Sequence, residues 1–201
     1  GEIMRIELER TAYKKLLQWK KNAGHSTLEV SGARQVGKTY LVNRFADKEY
    51  KQKVYINLLE LSGELFLDHY EKLWNEMTQG ERFENPVYEL IRRYDPSFID
   101  SPDTVVIIDE IQESAEIYNR IREFTRQLSS DFIIIGSYLG RILNKEFKYS
   151  AGDLDSIEIQ ILSFEGFLKA AGKWELYSRL DLYGGSEETV YKELNELYRV
   201  Y

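Results

Sequence analysis

The residues from Gly32 to Thr39 follow the pattern Gly-x-x-x-x-Gly-Lys-Ser/Thr, which is typical of a loop that binds phosphate groups. The two glycines let backbone N–H groups turn toward phosphate oxygens, and a helix that begins at the loop adds its positive end. In such a loop Lys38 contacts the terminal phosphates, and the Thr39 hydroxyl holds Mg²⁺. The predicted nucleotide-binding residues are Gly32, Ala33, Arg34, Gln35, Val36, Gly37, Lys38, Thr39 and the adjoining Tyr40.

A second segment adds two adjacent carboxylates. The β-branched run Thr104–Ile108 is typical of a buried parallel strand, and it ends in Asp109 and Glu110. Asp109 could support the water shell of Mg²⁺, and Glu110 could deprotonate the water that attacks a γ-phosphate. The alternative is an acidic helix N-terminus. Glu110, Glu113 and Glu116 all precede or open a helix, where their negative charge would interact favourably with the helix dipole.

The elements around these residues predict how they are positioned. Strand patterns alternate with helical patterns, which implies an α/β fold with a parallel sheet of about five strands covered by helices. This context favours a phosphate loop over a glycine-containing turn that binds nothing. The predicted strands are Thr27–Ser31, Lys53–Leu58, Thr104–Ile108, Phe132–Ile135 and one near Ser156. The predicted helices are Tyr13–Lys20, one after the loop with Leu41, Val42 and Phe45 on one face, one with Leu65 to Met77, one beginning at Asn85-Pro86, and one with Ile117 to Leu128.

The last part of the chain has a different pattern. No strand pattern continues after Leu162, and helical patterns occupy Phe164–Ala171 and Glu187–Tyr201. We therefore expect a P-loop domain over residues 1–162 and a helical extension, or the start of a second domain, over residues 163–201.

Four segments together resemble a known family. They are Gly-Ala-Arg-Gln-Val-Gly-Lys-Thr at 32–39, Ile-Asp-Glu-Ile-Gln-Glu at 108–113, Ile-Gly-Ser at 135–137 and Leu-Ser-Phe-Glu-Gly-Phe-Leu at 162–168. They resemble the prokaryotic AAA-type P-loop ATPases that carry an uncharacterised C-terminal domain, over roughly Arg5 to Tyr201. The first two segments correspond to the Walker A and Walker B motifs of that family.

The resemblance implies ATP and Mg²⁺ as cofactors. Thr39 and Asp109 would hold the metal, and Lys38 would act on the phosphates. Glu110 would be the water-activating base, and Ser137 would sense the γ-phosphate from the end of a strand. These roles make Glu110, Lys38 and Ser137 the expected catalytic residues.

Several positions stay open. Ser137 could instead cap the turn after its strand. Gln112 could join the same network or face solvent. Arg34 and Arg141 lie near the inferred site, but neither has the spacing that marks an arginine finger. Glu29 would be costly in a strand buried on both faces, so it needs a partner unless the strand is less buried.

The resemblance also predicts what this chain lacks. Family members often have Lys or Arg after the glycine near the last strand, whereas Asp153 follows Gly152 here. Relatives continue beyond the position of Tyr201 into another domain. We therefore expect a truncated piece that lacks its own C-terminal domain, with Gly1 as a tag remnant.

Composition narrows the class of protein. A chain of 201 residues that is 43% hydrophobic can bury the core of one globular domain. The net charge of −7 disfavours broad, non-specific nucleic-acid binding. With no cysteine and two histidines, disulfides and a zinc site are not expected. No apolar run has the length of a membrane span and no signal peptide begins the chain, so we expect a cytoplasmic protein without a membrane partner.

Three function classes follow. The first is Mg-dependent ATP binding and hydrolysis coupled to movement of an attached domain, a protein client or a second copy in a homo-oligomer. The second is a nucleotide-dependent binding switch that hydrolyses poorly, and the third is a small-molecule phosphotransferase. A guanine-specific switch is disfavoured, because residues 144–147 read Asn-Lys-Glu-Phe and lack the acidic residue that would bind the guanine edge.

Overall fold

The computed structural model describes residues 2–22, 24–32, 37–137 and 154–158. The chain divides into two units, one formed by residues 13–159 and one by residues 1–12 together with 160–201. Of the second unit, only the helical residues 2–12 are described. The predicted helices at 164–171 and 187–201 lie outside the described residues, and the predicted domain boundary after residue 162 stays a prediction.

The described part of the chain alternates helices and strands, as the sequence predicts. The strands are β1 (Thr27–Ser31), β2 (Gln52–Asn57), β3 (Thr104–Asp109), β4 (Asp131–Gly136) and β5 (Leu154–Glu158). The helices are α1 (Glu2–Lys21), α2 (Lys38–Glu49), α3 (Leu61–Thr78), α4 (Pro86–Tyr94) and α5 (Ala115–Gln127), with a 3-10 helix at Ile111–Glu113. None of these described helices combines the length and the apolar character needed to cross a membrane.

The five strands form one parallel sheet in the order β2-β3-β4-β1-β5. Strands β1, β3 and β4 therefore lie inside the sheet. Ser31 pairs with Gly136 and Asn57 pairs with Asp109, so these strands end side by side. We call this side of the sheet, where the C-terminal ends of the strands lie, the carboxyl edge, and the opposite side the amino edge. The predicted α/β fold of the P-loop class, with a five-stranded parallel sheet between helices, is confirmed.

Burial on both faces explains the apolar run of β3, whose six residues are all buried. Successive side chains of a strand point to opposite faces. Val106 and Ile108 pack in a cluster with residues of α3, α4 and α5. Val105 and Ile107, on the other face, are fully buried as well. The first polar side chain after Thr104 is therefore Asp109, at the carboxyl edge.

Local signals set the helix positions. Leu41, Val42 and Phe45 form the buried face of α2, as their spacing predicts. The Asn85 side chain accepts a hydrogen bond from Tyr88 N at 3.0 Å and caps α4, with Pro86 in its first turn.

The ends of β2, β3 and β4 shift by one residue from the sequence prediction, and two helix boundaries also differ. Helix α1 begins at Glu2 rather than Tyr13, because residues 2–12 are rich in strong helix formers although their apolar positions form no single stripe. Helix α5 ends at Gln127, so Leu128 lies just beyond the helix whose period it continues.

Glu29 of the interior strand β1 has a partner. Tyr118 on α5 donates its hydroxyl to Glu29 Oε2 at 3.2 Å. Burial raises the pKa of Glu29, and the hydrogen bond from Tyr118 opposes that rise. The carboxylate predicted to be costly in this strand is therefore half-buried and hydrogen-bonded rather than left alone.

Candidate functional site

The candidate site lies at the carboxyl edge, where β1 is followed by the phosphate-loop sequence. Residues 33–36 lie outside the described residues, so the structure describes the two ends of the loop. At its second end Gly37 has φ 79° and ψ 20°, a left-handed conformation, immediately before α2 begins. Glycine adopts this conformation without the steric cost that a Cβ brings. The second glycine of the motif therefore makes the turn that aims the N-terminus of α2 at the edge.

Lys38, the first residue of α2, is buried, with 7% of its surface exposed. Its Nζ donates to the Gly32 carbonyl oxygen at 2.8 Å and to Ser137 Oγ at 3.5 Å. Burial lowers the pKa of Lys38, and the nearby charges of Glu110 and Asp109 oppose that shift. The ammonium group is thus held at the edge, between the ends of β1 and β4.

Thr39 and Asp109 meet directly. The Thr39 hydroxyl donates to Asp109 Oδ2 at 2.6 Å, although the residues are 70 positions apart in the chain. Asp109 is 2% exposed, and its other oxygen, Oδ1, accepts the backbone N–H of Glu110 at 2.7 Å. Both carboxylate oxygens are therefore oriented by hydrogen bonds, and one of them lies against the hydroxyl predicted to bind metal.

Tyr55 is a site residue that sequence reasoning missed. From β2 its hydroxyl donates to Asp109 Oδ2 at 2.6 Å, the same oxygen that Thr39 contacts. Burial and the neighbouring Asp109 carboxylate raise the pKa of Tyr55, so the phenol keeps its proton and acts as a donor. Only the position of β2 beside β3 could have revealed this contact, because nothing near Tyr55 in the sequence marks it.

Glu110 has an unusual backbone conformation. Its φ of 55° is positive, which is true of no other non-glycine residue in the described part of the chain. Such a conformation costs on the order of 1 kcal/mol and is common at functional sites. The Glu110 side chain accepts a hydrogen bond from Gln112 Nε2, so Gln112 does join the network. The strained backbone and this hydrogen bond together set the direction of the carboxylate.

The alternative interpretation of Glu110, as the start of an acidic helix, stays open for the short 3-10 helix, of which Glu110 is the N-cap residue without a side-chain cap hydrogen bond, but it does not apply to α5. Helix α5 begins at Ala115, and its N-cap is Ser114, whose hydroxyl accepts the N–H of Ile117 at 3.2 Å. Glu116 is the acidic residue in the first turn. Glu110 lies before the separate 3-10 helix, beside Asp109 and the site.

The remaining predicted residues lie in different places. Tyr40 is 65% exposed on the first turn of α2, and no hydrogen bond or ring contact joins it to the carboxyl edge among the described residues. Arg34 and Arg141 lie outside the described residues. The structure thus brings Lys38, Thr39 and residues 109–110 together with Ser137, and the roles assigned to them stay predictions.

The donor chemistry at the edge fits Mg²⁺ when phosphate is also present. The Thr39 hydroxyl and the Asp109 carboxylate are hard oxygen donors, which Mg²⁺ prefers. In the described residues no three His, Asp or Glu side chains gather as a cage for a metal ion. Two protein oxygens leave most of an octahedral shell to water and phosphate oxygens, which is the usual way in which Mg²⁺ binds beside a nucleotide.

Comparison with known proteins gives a family match. The model of the family described as "AAA domain" matches residues 25–168, a span that holds the phosphate loop, Asp109, Glu110 and Ser137. A search of curated proteins finds no match.

Several solved structures align with this chain. A chain of Drosophila ORC bound to DNA aligns with 89% of this chain at 11% identity and a TM-score of 0.50. The Aeropyrum pernix ORC2 protein, in ADPNP-ADP complexes, aligns with 85% at 15% identity and a TM-score of 0.35, and C. elegans PCH-2 with 89% at 15% and 0.38. At such identities the likeness concerns the fold alone. This chain spans about half the length of those chains, at 50%, 50% and 49%.

Proposed function

This chain belongs to the family of AAA domains, and from that premise we propose that it binds ATP with Mg²⁺ at the carboxyl edge and hydrolyses it. The observation that carries the proposal is the 2.6 Å hydrogen bond from the Thr39 hydroxyl to Asp109 Oδ2. It joins the end of the phosphate loop to the end of β3, and it places the two expected metal-site groups side by side. Membership of the family supports nucleotide binding independently of this geometry.

Charge at the edge suits a triphosphate. The N-terminus of α2 carries a partial positive charge, and the buried ammonium of Lys38 adds a full one. In the structure that ammonium binds the Gly32 carbonyl. We expect it to exchange this neutral acceptor for the phosphate oxygens of a nucleotide, since an ammonium group is attracted more strongly by an opposite charge than by a neutral carbonyl group.

The proposed hydrolysis step uses the Glu110 carboxylate as the base. A water oxygen forms a bond to the γ-phosphorus, the bond from that phosphorus to the β–γ bridging oxygen breaks, and the water proton passes to the Glu110 carboxylate. ADP and inorganic phosphate are the products. Bound Mg²⁺ would neutralise phosphate charge, and Thr39 and Asp109 would be the protein residues that hold it. Ser137 Oγ, 3.5 Å from Lys38 Nζ, is positioned to contact the same phosphate.

The proposal also includes what ATP hydrolysis drives. We expect the ATPase cycle to move an attached domain, a protein client or a second copy of the chain, and we expect a cytoplasmic, prokaryotic protein. These expectations derive from the resemblance of the motifs and from the family's reaction.

Two measurements on the unaltered chain test the proposal. Calorimetric titration with ATP should give saturable binding in Mg²⁺ and much weaker binding in EDTA. Phosphate release should be faster from ATP than from GTP, and it should need no second substrate. Absence of ATP binding in Mg²⁺ would overturn the proposal; binding without phosphate release would leave a binding switch, and release only with an added acceptor would indicate a phosphotransferase.

A further inference from the structure

Hydrogen bonds cross the carboxyl edge from the phosphate-binding lysine to the proposed base. Lys38 Nζ lies 3.5 Å from Ser137 Oγ, and the backbone N–H of Ser137 donates to Gln112 Oε1 at 3.4 Å. Gln112 Nε2 then donates to Glu110 Oε2. Gln112 is therefore the side chain that links the end of β4 to Glu110.

A glutamine fits this position because it uses both ends of its amide. One end accepts from the end of β4, and the other end donates to a carboxylate. A glutamate at this position could accept from Ser137 N–H but could not donate to Glu110 when ionised. A methionine of similar length could do neither. Substitution can thus remove the donor end alone, with glutamate, or both ends together, with methionine.

Glu110 needs orientation from outside itself. Its backbone is held by the hydrogen bond from its N–H to Asp109 Oδ1 at 2.7 Å and by the left-handed φ of 55°. These restraints fix the Cα but leave the side-chain torsions free. The hydrogen bond from Gln112 restrains the side chain through Oε2, so that Oε1 can accept a proton from water.

We propose that Gln112 is a positioning residue that orients the Glu110 carboxylate and connects it, through Ser137, to the phosphate end at Lys38. The inference rests on the proposed function, because it assumes that Glu110 is the base. In the described part of the chain Gln112 makes no hydrogen bond to Lys38 or Thr39. Its loss should therefore lower kcat and leave ATP affinity unchanged.

The test compares Gln112→Met and Gln112→Glu with the parent chain. Both variants should lose roughly 10- to 100-fold in kcat, the usual effect of removing a hydrogen-bonding partner that orients a functional side chain. The Kd for MgATP should stay within about 2-fold, and so should KM. The loss in Gln112→Glu should be at least as large, because its carboxylate keeps the contact to Ser137 but repels Glu110. Glu113→Gln, an exposed neighbour in the same 3-10 helix, serves as the control and should match the parent.

A double-mutant cycle separates positioning from simple structural support. In a Glu110→Gln background, Gln112→Met should cause little further loss of kcat, since the group it positions is already disabled. The proposal would be overturned if Gln112→Met lowered kcat by the same factor in the Glu110→Gln background as in the parent. It would also be overturned if Gln112→Met raised the Kd for MgATP by the same factor by which it lowered kcat.

The outcome for the single variant Glu110→Gln tells which hypothesis fails. If Glu110→Gln abolishes hydrolysis and Gln112→Met behaves like the parent, the positioning role is wrong and the proposed function stands. If Glu110→Gln hydrolyses ATP like the parent, the base assignment is wrong, and the role of Gln112 is overturned with it.

Discussion

Two aspartates at opposite edges of the sheet accept the same kind of hydrogen bond. Asp109, at the end of β3, accepts the hydroxyl of Tyr55 on Oδ2 at 2.6 Å. Asp131, at the start of β4, accepts the hydroxyl of Tyr50 on Oδ2 at 2.5 Å. A carboxylate with a tyrosine donor therefore occurs at both the carboxyl edge and the opposite, amino edge, and the surroundings must decide what each pair does.

At the amino edge the protein supplies its own cations. His25 Nε2 lies 2.7 Å from Asp131 Oδ1, and Lys20 Nζ lies 4.3 Å from the centroid of the Tyr50 ring. Lys20 also donates to the carbonyl oxygen of Glu49, the last residue of α2, at 2.6 Å. A cation at a helix C-terminus stabilises the negative end of the helix dipole. This cluster is satisfied by internal partners, so we interpret it as structural.

At the carboxyl edge the same helix presents its other end. The N-terminus of α2 follows Gly37, and its first residues are Lys38, whose ammonium is buried, and Thr39. Positive charge is gathered there next to Asp109, which favours a ligand that carries both phosphate and a divalent cation. Helix polarity, rather than the aspartate–tyrosine pair, distinguishes the two edges. Four substitutions test this comparison.

The largest expected effect is on the chemistry at the carboxyl edge. Glu110→Gln keeps the shape of the side chain and removes the proposed base, so hydrolysis should fall by on the order of 10² to 10⁴ while MgATP still binds. Phosphate release and calorimetric titration measure the two quantities. Glu113→Gln, the exposed glutamate three positions on, should leave both unchanged. Equal rates of phosphate release for Glu110→Gln and the parent would contradict a catalytic role for Glu110 at the carboxyl edge.

The next effect concerns binding at the same edge. Lys38→Ala removes the buried ammonium that binds the Gly32 carbonyl, so the affinity for MgATP should fall on the order of 100-fold. Lys48→Ala removes the same charge from the exposed last turn of α2, and its affinity should equal that of the parent. If the two variants bound MgATP equally, the net charge of the protein, and not the position of Lys38, would account for the binding.

The third effect should appear in stability and not in nucleotide binding. Asp131→Ala leaves the Tyr50 hydroxyl and the His25 ring without their acceptor in a site where Asp131 is 12% exposed. The free energy of unfolding should fall by about 1 to 3 kcal/mol, measured by urea denaturation. Asp103→Ala, whose exposed carboxylate pairs with Lys51 at 3.4 Å, is the matched control and should change it by less than about 1 kcal/mol. A loss of MgATP affinity in folded Asp131→Ala would contradict the structural role of the amino edge.

The smallest effect is a pH dependence at the amino edge. Burial lowers the pKa of His25, but hydrogen bonds to Asp131 and to the Asn22 carbonyl, with the charges of Asp131 and Asp155, outweigh it and raise the pKa above 6.5. Protonated His25 thus stabilises the folded chain fully below about pH 6.5, and this contribution is lost as the pH rises through the higher folded-state pKa.

Thermal melts at several pH values check this prediction. The Tm of the parent should decline over that window relative to His25→Gln, which lacks the titrating group. His69→Gln should keep the decline of the parent. A parent and a His25→Gln variant with parallel Tm curves would show that the pairing with Asp131 adds no pH-dependent stability.

Patterns within short stretches of sequence were enough to predict much of this fold. The β-branched run before Asp109 identified β3, the Asn85-Pro86 pair identified the start of α4, and the spacing of Leu41, Val42 and Phe45 identified the buried face of α2. Such signals are local, because they depend on strand and helix periodicity and on capping. The start of α1 was missed where the helix has no apolar stripe for periodicity to reveal.

The sequence by itself determined that this chain has the phosphate-loop motif, a buried strand ending in Asp109 and Glu110, and a parallel α/β fold. Only the tertiary structure decided that Tyr55 donates to Asp109, that Gln112 joins Glu110 to Ser137, and that Tyr118 partners Glu29. The physical reason is strand order. Because β3 lies between β2 and β4, and β1 lies beyond β4, residues far apart in the chain meet at one edge. Which strands become neighbours depends on packing of the whole sheet, which no short stretch of sequence encodes.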